Sequence, residues 1–298
     1  MNISYRKYKD INDYESMCTF LEKNYQVYGT KFYNNLTLFE FQCALACGRD
    51  EVNVSIDEAL SNFLLWFDGE ELVGMVDGNS FCIASDYRFL FDDIIKAAEE
   101  INPSKDIECE WEIYEGDSAF ESVLQKQGYI KSDEYWVRRE LNCNNLIDDI
   151  DLPEGFHYEY VSNLSNLDEV FRAYKLCYGM LFNQNIFDNF FTTSTYRREL
   201  DLVVKGPDGS VVAICSGRYD EKNKLATIEA VSCYHEYRKK GISRALQIVL
   251  LRNAKKLGAE KATVFTAMPE KYPAPNKLYE SVGFNLVGNL YVWRRGNK

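Results

Sequence analysis

Two hydrophobic periods alternate through the second half of the chain. Phe156–Val161, Leu200–Lys205, Val211–Tyr219 and Ala226–Cys233 carry apolar residues in alternation or in short runs closed by polar turns, which predicts strands. Leu167–Tyr178, Ile186–Thr193 and Ser243–Leu257 repeat at the helical period. In the last of these, Ala245, Leu246, Val249, Leu250, Ala254 and Leu257 share one face. A strand over Lys261–Thr266, a helix over Asn276–Val282 and a strand over Leu286–Arg294 follow. The order predicts an α+β fold with a mixed sheet, in which Leu200–Lys205, Val211–Tyr219 and Ala226–Cys233 are three consecutive antiparallel strands, and helices on both faces.

The first half repeats parts of this pattern. An Asp-Gly turn separates two apolar runs in Trp66–Gly74 and again in Val204–Ala213. A short helix, a Gly-aromatic step and a strand close both halves, as Phe120–Tyr129 with Tyr135–Arg139 and as Asn276–Phe284 with Leu290–Arg295. Gly74 aligns with Ala213 and Gly128 with Gly283, so the first copy is shorter by about 16 residues between these points. The stretch from Leu141 to Gly155, rich in Asn and Asp, reads as a linker. The predicted organisation is a degenerate domain over 1–141, a linker over 142–154 and a second domain over 155–298.

Hydrophobic residues make up 46% of the 298 and charged residues 27%, a globular composition. No apolar run approaches the roughly 18 residues that span a bilayer, and Met1–Asp10 lacks the apolar core of a secretory signal. The expectation is a cytoplasmic protein with no membrane partner. Nine cysteines without a CxxC pair fit reduced thiols acting as small hydrophobes. Cys43 and Cys47, at helical spacing but without a nearby His pair, make a poor zinc site, so no metal is expected. Charge divides the halves: residues 1–150 carry 30 acidic against 13 basic residues, and residues 151–298 carry 16 against 21. The acidic half argues against nucleic acid, and the basic half suits a small polyanion.

Chemistry concentrates in Ile228–Leu246, where an apolar strand runs through the short basic turn Arg238-Lys239-Lys240-Gly241-Ile242-Ser243-Arg244 into an amphipathic helix. A helix start offers unpaired N–H groups and the positive end of the dipole, which together bind phosphate. Gly241 lets a ligand approach the backbone, and the three cations add charge. Neither GxxxxGK[ST] nor GxGxxG is present, which removes the Walker and dinucleotide loops.

Arg238-Lys-Lys-Gly241-Ile-Ser243 on a strand–turn–helix resembles the phosphate loop of the GNAT superfamily of N-acetyltransferases, with Ser243 where the family usually has Gly or Ala. Asn276-Lys-Leu-Tyr-Glu-Ser-Val-Gly-Phe284 is similar to the family's late helix, with a shorter Asn-to-Tyr spacing. The resemblance implies two GNAT-like domains, each a twisted, mostly antiparallel mixed sheet flanked by helices, with only the second carrying a site. It implies acetyl-CoA as co-substrate, its phosphates on Arg238 to Arg244, its pantetheine arm along Val231 and Cys233 and near Asn276, and the reaction oxyanion near the Val231 N–H. Glu229, placed by simple alternation on the face of Val231 and Cys233, would be the general base, and Tyr279 the acid that protonates the leaving thiolate. His157 and His235 are not expected to take part. The implied reaction moves an acetyl group onto a primary amine of a small molecule or peptide. The alternative is a CoA-binding sensor without transferase activity. Monomer and homodimer both stay open.

In the first copy the strand Phe81–Ala84 passes through Ser85-Asp86 directly into a helix over Arg88–Glu100, and Leu124 stands at the place of Tyr279, so no CoA site is expected there. Its strand Ile107–Ile113 puts Glu108, Glu110 and Glu112 on one face, an acidic wall that would suit a cationic acceptor or simply face solvent.

Overall fold

The computed structural model describes residues 1–49, 53–78, 80–101, 110–180 and 182–295. In chain order the elements are β1 (Ile3–Lys7), α1 (Ile11–Tyr28), α2 (Leu36–Gly48), α3 (Ile56–Ala59), β2 (Leu64–Asp68), β3 (Glu71–Asp77), β4 (Ser80–Ile83), α4 (Phe91–Ile101), β5 (Glu110–Tyr114), α5 (Ser118–Lys126) and β6 (Tyr129–Asn142). Then come β7 (His157–Tyr160), α6 (Asp168–Tyr178), α7 (Gln184–Thr192), β8 (Asp201–Lys205), β9 (Val211–Asp220), β10 (Leu225–Cys233), α8 (Ile242–Lys256), β11 (Lys261–Ala267), α9 (Pro273–Val282) and β12 (Asn285–Arg295).

These elements form two compact units, and neither is a continuous piece of chain. Unit 1 comprises Met1–Asn35, Ser55–Arg138 and Val287–Lys298; unit 2 comprises Leu36–Val54 and Arg139–Leu286. The linear division into 1–141 and 155–298 is therefore crossed by α2, which lies in unit 2, and by most of β12, which lies in unit 1. The physical reasons are local. The segment Leu-Thr-Leu-Phe-Glu-Phe-Gln-Cys-Ala-Leu-Ala-Cys-Gly of α2 is apolar on nearly every side and must be covered on more than one. In unit 2 it packs on α7. Its buried Glu40 accepts from the Ser194 and Thr195 N–H groups (3.1 and 2.8 Å) and from Thr195 Oγ1 (2.6 Å). Thr37 and Thr227 share a buried hydroxyl–hydroxyl bond of 2.6 Å. In unit 1, β12 pairs antiparallel with β5 from Leu290 opposite Tyr114 to Arg294 opposite Glu110, and Trp293 joins Trp111, Phe81, Phe91 and Phe120 in the core.

Unit 1 contains the antiparallel sheet β1-β2-β3-β4 and the strands β5-β12-β6 in that order, β6 contributing its residues up to Arg138. The predicted Asp-Gly hairpin is β2–β3, with Gly69 in the left-handed region at φ 62°. A 3-10 turn over Ser85–Leu90 precedes α4, so the predicted helix from Arg88 starts later than expected.

Unit 2 is built on β11-β10-β9-β8-β7, with the Arg139–Asn142 end of β6 beside β11. β10 and β11 run parallel, and the remaining pairs from β10 to β7 are antiparallel. One face of this sheet packs Ala226, Ile228 and Val264 against Leu246 and Leu250 of α8. The other packs Val203, Ile214 and Ala230 against Phe41, Tyr174, Phe187 and Phe190 of α2, α6 and α7. The linker is held in the first of these cores. Cys143 is buried and its N–H bonds Glu260 O at 2.9 Å, while Leu146, Ile147, Ile150 and Leu152 pack alongside. Helix α9 begins at Pro273, ahead of the predicted Asn276, because prolines at the first helical positions carry a preset φ and need no N–H partner. No described helix is long and apolar enough to cross a membrane.

Candidate functional site

The site is built around an irregularity in β10. Against β9, Ile228 pairs with Gly217 and Ala230 with Ser216, so Glu229 is an extra residue inserted into the ladder as a β-bulge. The insertion resets the alternation. Ile228, Val231 and Cys233 pack on the α8 side, while Ala230 faces the α2, α6 and α7 side. Glu229 is drawn to the latter side, where the Tyr178 phenol of α6 donates to its carbonyl oxygen and approaches its carboxylate Oε1 at 3.2 Å. The expectation that Glu229 shares the face of Val231 and Cys233 is thus corrected: counting by twos fails across a bulge. The parallel ladder with β11 covers Leu225–Ile228 opposite Lys261–Val264 and stops where the bulge begins. Ser232 Oγ donates to Ala173 O at 2.8 Å, which ties the strand beyond the bulge to α6.

After β10 the chain makes a 3-10 turn over His235–Tyr237 and reaches α8 through Arg238–Gly241. Lys239 and Gly241 both hold positive φ, 61° and 80°, on either side of Lys240. Such alternation turns successive N–H groups toward one concavity, which receives anions. A Cβ at Gly241 would meet no atom within 4 Å, so the place beside it is open. No acidic residue stands in the first turn of α8. Arg238, Lys239 and Lys240 are exposed, and neither lysine forms an ion pair among the described residues. The Arg238 Nε is partly committed, donating to Cys233 O at 3.0 Å, and Lys240 Nζ stands 5.3 Å from the Tyr237 ring centre. Ile242 is fully buried, so it can offer a ligand only its backbone. Ser243 is half-buried. Arg244 donates to Ser281 O at 3.1 Å and so links α8 to α9. This donor set, a helix start with two free lysines and an open approach, fits a pyrophosphate.

On α9, Tyr279 is buried with its ring edge-on to Phe284 at 5.9 Å between centres. Burial raises its phenol well above the usual range, reinforced by the negative potential of Cys215, Cys177 and Glu229. It therefore stays protonated and has a proton to donate. Tyr178 is raised likewise, first by burial and then by Glu229. Asn276 is buried and spends both amide hydrogens on Ala267 O and Tyr272 O, at 2.8 and 2.9 Å, while its oxygen accepts from Arg139 Nη2 at 3.1 Å. What it could offer a ligand is one remaining lone pair.

Sequence reasoning missed Tyr178 and Cys177. The only signal for Tyr178 is its position four residues after Tyr174 on the α6 stripe; nothing marks Cys177. Cys177 is exposed, unlike the six buried cysteines among the described residues, yet protein atoms crowd its sulfur and push the thiol up to about 11, with Ser232 and the Val231 N–H opposing. Both histidines, His157 and His235, are exposed. No group of three or more potential metal ligands exists among the described residues.

The acidic wall belongs to unit 1. Glu108 lies outside the described residues. Glu110 is paired with Arg294, which in turn binds Glu134 at 2.6 Å. Glu112 is mostly buried, and burial pushes its carboxyl up to about 7.

Residues 167–284 match the sequence model of the Acetyltransferase (GNAT) family. No curated protein matches the chain in sequence. Among solved structures, a GCN5-related N-acetyltransferase from Sphaerobacter thermophilus has a similar fold, with TM-score 0.64 and 15% identity over 99% of this chain and 97% of that one. A tandem GNAT protein from the clavulanic acid biosynthesis pathway gives TM-score 0.62 and 13% identity over 100% of both chains. An acetyltransferase of the GNAT family from Colwellia psychrerythraea gives 0.61 and 12% over 99% and 100%.

Proposed function

We propose, on the premise that residues 167–284 are a GNAT acetyltransferase domain, that this protein transfers an acetyl group from acetyl-CoA to a primary amine by direct attack. The loop Arg238–Ser243, with Arg244, holds the phosphates of CoA. The pantetheine arm lies along β10 beyond the bulge, at Val231 and Cys233. The amine arrives from the α6 side, because that is where Glu229 turns. Glu229 takes its proton, directly or through water, and the neutral Tyr279 returns one to the departing thiolate. The amine adds to the thioester carbonyl to form the C–N bond and a tetrahedral oxyanion, which collapses with cleavage of the C–S bond and departure of the CoA thiolate, so no covalent enzyme intermediate is needed.

The observation that carries this reading is the bulge at Glu229. It interrupts β10 where the β11 ladder ends and turns the Glu229 carboxylate toward Tyr178, and the charge of Glu229 is one of the influences that keep the Tyr279 phenol protonated, which supports a base and an acid acting at one site. Asn276 has a supporting part, since both of its amide hydrogens are already used. The acceptor is a small-molecule or peptide amine.

Two measurements test the proposal. Calorimetry with acetyl-CoA should detect binding to wild type and none to Gly241→Glu; absence of binding to wild type would remove any CoA function. A thiol-release assay across a panel of amines should then show turnover. Binding without release of CoA for any amine would favour the sensor instead.

A further inference from the structure

Strand β6 changes allegiance between consecutive residues. Arg138 lies in unit 1, where its guanidinium bonds the carbonyls of Thr30, Phe32 and Tyr33 at 3.0, 2.6 and 3.2 Å. Arg139 lies in unit 2, and its side chain turns to α9. There, Arg139 Nη2 donates to Asn276 Oδ1 at 3.1 Å and to Glu280 Oε1 at 2.8 Å, and its carbonyl accepts from Thr263 Oγ1 of β11 at 2.9 Å.

We propose that Arg139 is a positioning residue for Tyr279; this rests on the acetyl-transfer reading above. Asn276 and Glu280 bracket Tyr279 along α9, three residues before it and one after. Asn276 lies on the same helical face as Tyr279. It also anchors the helix start to Ala267 at the end of β11 and to Tyr272. Arg139 is the buried cation that completes this anchor, at 5% exposure. Its bond to Glu280 is half in solvent and contributes little. Its bond to the buried Asn276 oxygen matters more, because removing it leaves a buried acceptor with an empty site. The phenol of Tyr279 makes no hydrogen bond among the described residues, so its direction is set by the placing of its helix rather than by a partner of its own. Arg139 thereby fixes where the acid points. It is supplied by a strand that closes the first repeat in sequence, so the second repeat alone lacks it.

The test is a double-mutant cycle on the full chain. Arg139→Met keeps the apolar stem, Arg139→Lys keeps the charge and a donor, and Tyr279→Phe removes the acid. With thiol release as readout, Arg139→Met should lower kcat about 10- to 100-fold, as expected when a catalytic group is displaced by about an ångström. The KM for acetyl-CoA should move less than about twofold, and Arg139→Lys should recover part of the loss. In Tyr279→Phe the same substitutions should cost almost nothing further, because Arg139 acts only through Tyr279. Multiplicative losses would show that Arg139 acts independently of Tyr279, and a rise in KM with kcat kept would assign it to substrate binding; either would overturn the proposal. If Arg139→Met does not fold, the cycle with Arg139→Lys decides by the same criterion. A wild type that binds acetyl-CoA and releases no CoA would instead sink the transfer reading on which this rests.

Discussion

Gly48→Ala tests the assignment of α2 to unit 2. Gly48 closes α2 where it crosses α7. A Cβ built there would lie 2.5 Å from the Ile186 nitrogen and 2.8 Å from its Cα. Ordinary contact begins near 3.4 Å, so the helices would have to part by about 0.9 Å, and backbone atoms cannot rotate away as a side-chain tip could. Overpacking of this kind costs roughly 1–3 kcal/mol. Alanine returns up to about 1 kcal/mol of helix propensity, and less at a helix end. Parting the helices also strains the Asn183 Nδ2–Gly48 O bond of 2.9 Å and the stacked Phe41 and Phe190 rings, 4.8 Å apart. The expected net loss is about 1–2 kcal/mol, a fall in Tm of roughly 2–8 °C by scanning calorimetry. The exposed Gln42→Ala on the same helix should leave Tm unchanged within error. An unchanged or raised Tm for Gly48→Ala would refute the close α2–α7 crossing and, with it, the reason given for α2 leaving the first repeat.

Three further outcomes are expected. Glu229→Gln should lower kcat by about 10²–10⁴-fold and remove the acidic limb of the rate profile, as loss of a general base does; a variant with wild-type kcat would exclude Glu229 from that role. Gly241→Glu should abolish acetyl-CoA binding in calorimetry while Gly241→Ala, which shares the strain of a side chain at φ 80° but brings no charge, should keep more of it, since the added Cβ meets open space and only the glutamate puts a negative charge at the loop; affinity retained by Gly241→Glu would move the phosphate site elsewhere. Glu112 holds its proton more tightly folded than unfolded, because its carboxyl is pushed from 4.5 up to about 7. Its stabilising contribution is therefore complete below pH 4.5 and is lost as pH rises through 7. Urea titrations should find Glu112→Gln close to wild type at pH 4.5 and more stable by roughly 1–3 kcal/mol at pH 8; a variant less stable at pH 8 would reverse the sign and discard the burial argument.

Much of unit 2 was legible in the sequence because its signals are local. The strands β8, β9 and β10 and the helix α8 follow from hydrophobic period, and the candidate phosphate loop is suggested by one glycine among cations at a helix start. Each depends on residues within a turn or two of one another. Glu229 and Tyr279 were named from a resemblance of short motifs, but their geometry was not readable. The bulge that turns Glu229 toward Tyr178 is a mismatch between β10 and β9, so it exists only once two strands are paired. The polar part of β6, Lys131 to Glu134, has no apolar alternation and became a strand through backbone pairing.

The sequence by itself determined the order and kind of the secondary structure from β7 to β12 and pointed to the repeated pattern and to a candidate anion loop, because periodicity, turn chemistry and helix-end dipoles are properties of neighbouring residues. Only the tertiary structure decided which pieces of chain share a core. An all-round apolar helix such as α2 and a terminal strand such as β12 can be covered by any complementary surface, and the sequence does not say which. The same choice placed Arg138 and Arg139, adjacent in the chain, in different units.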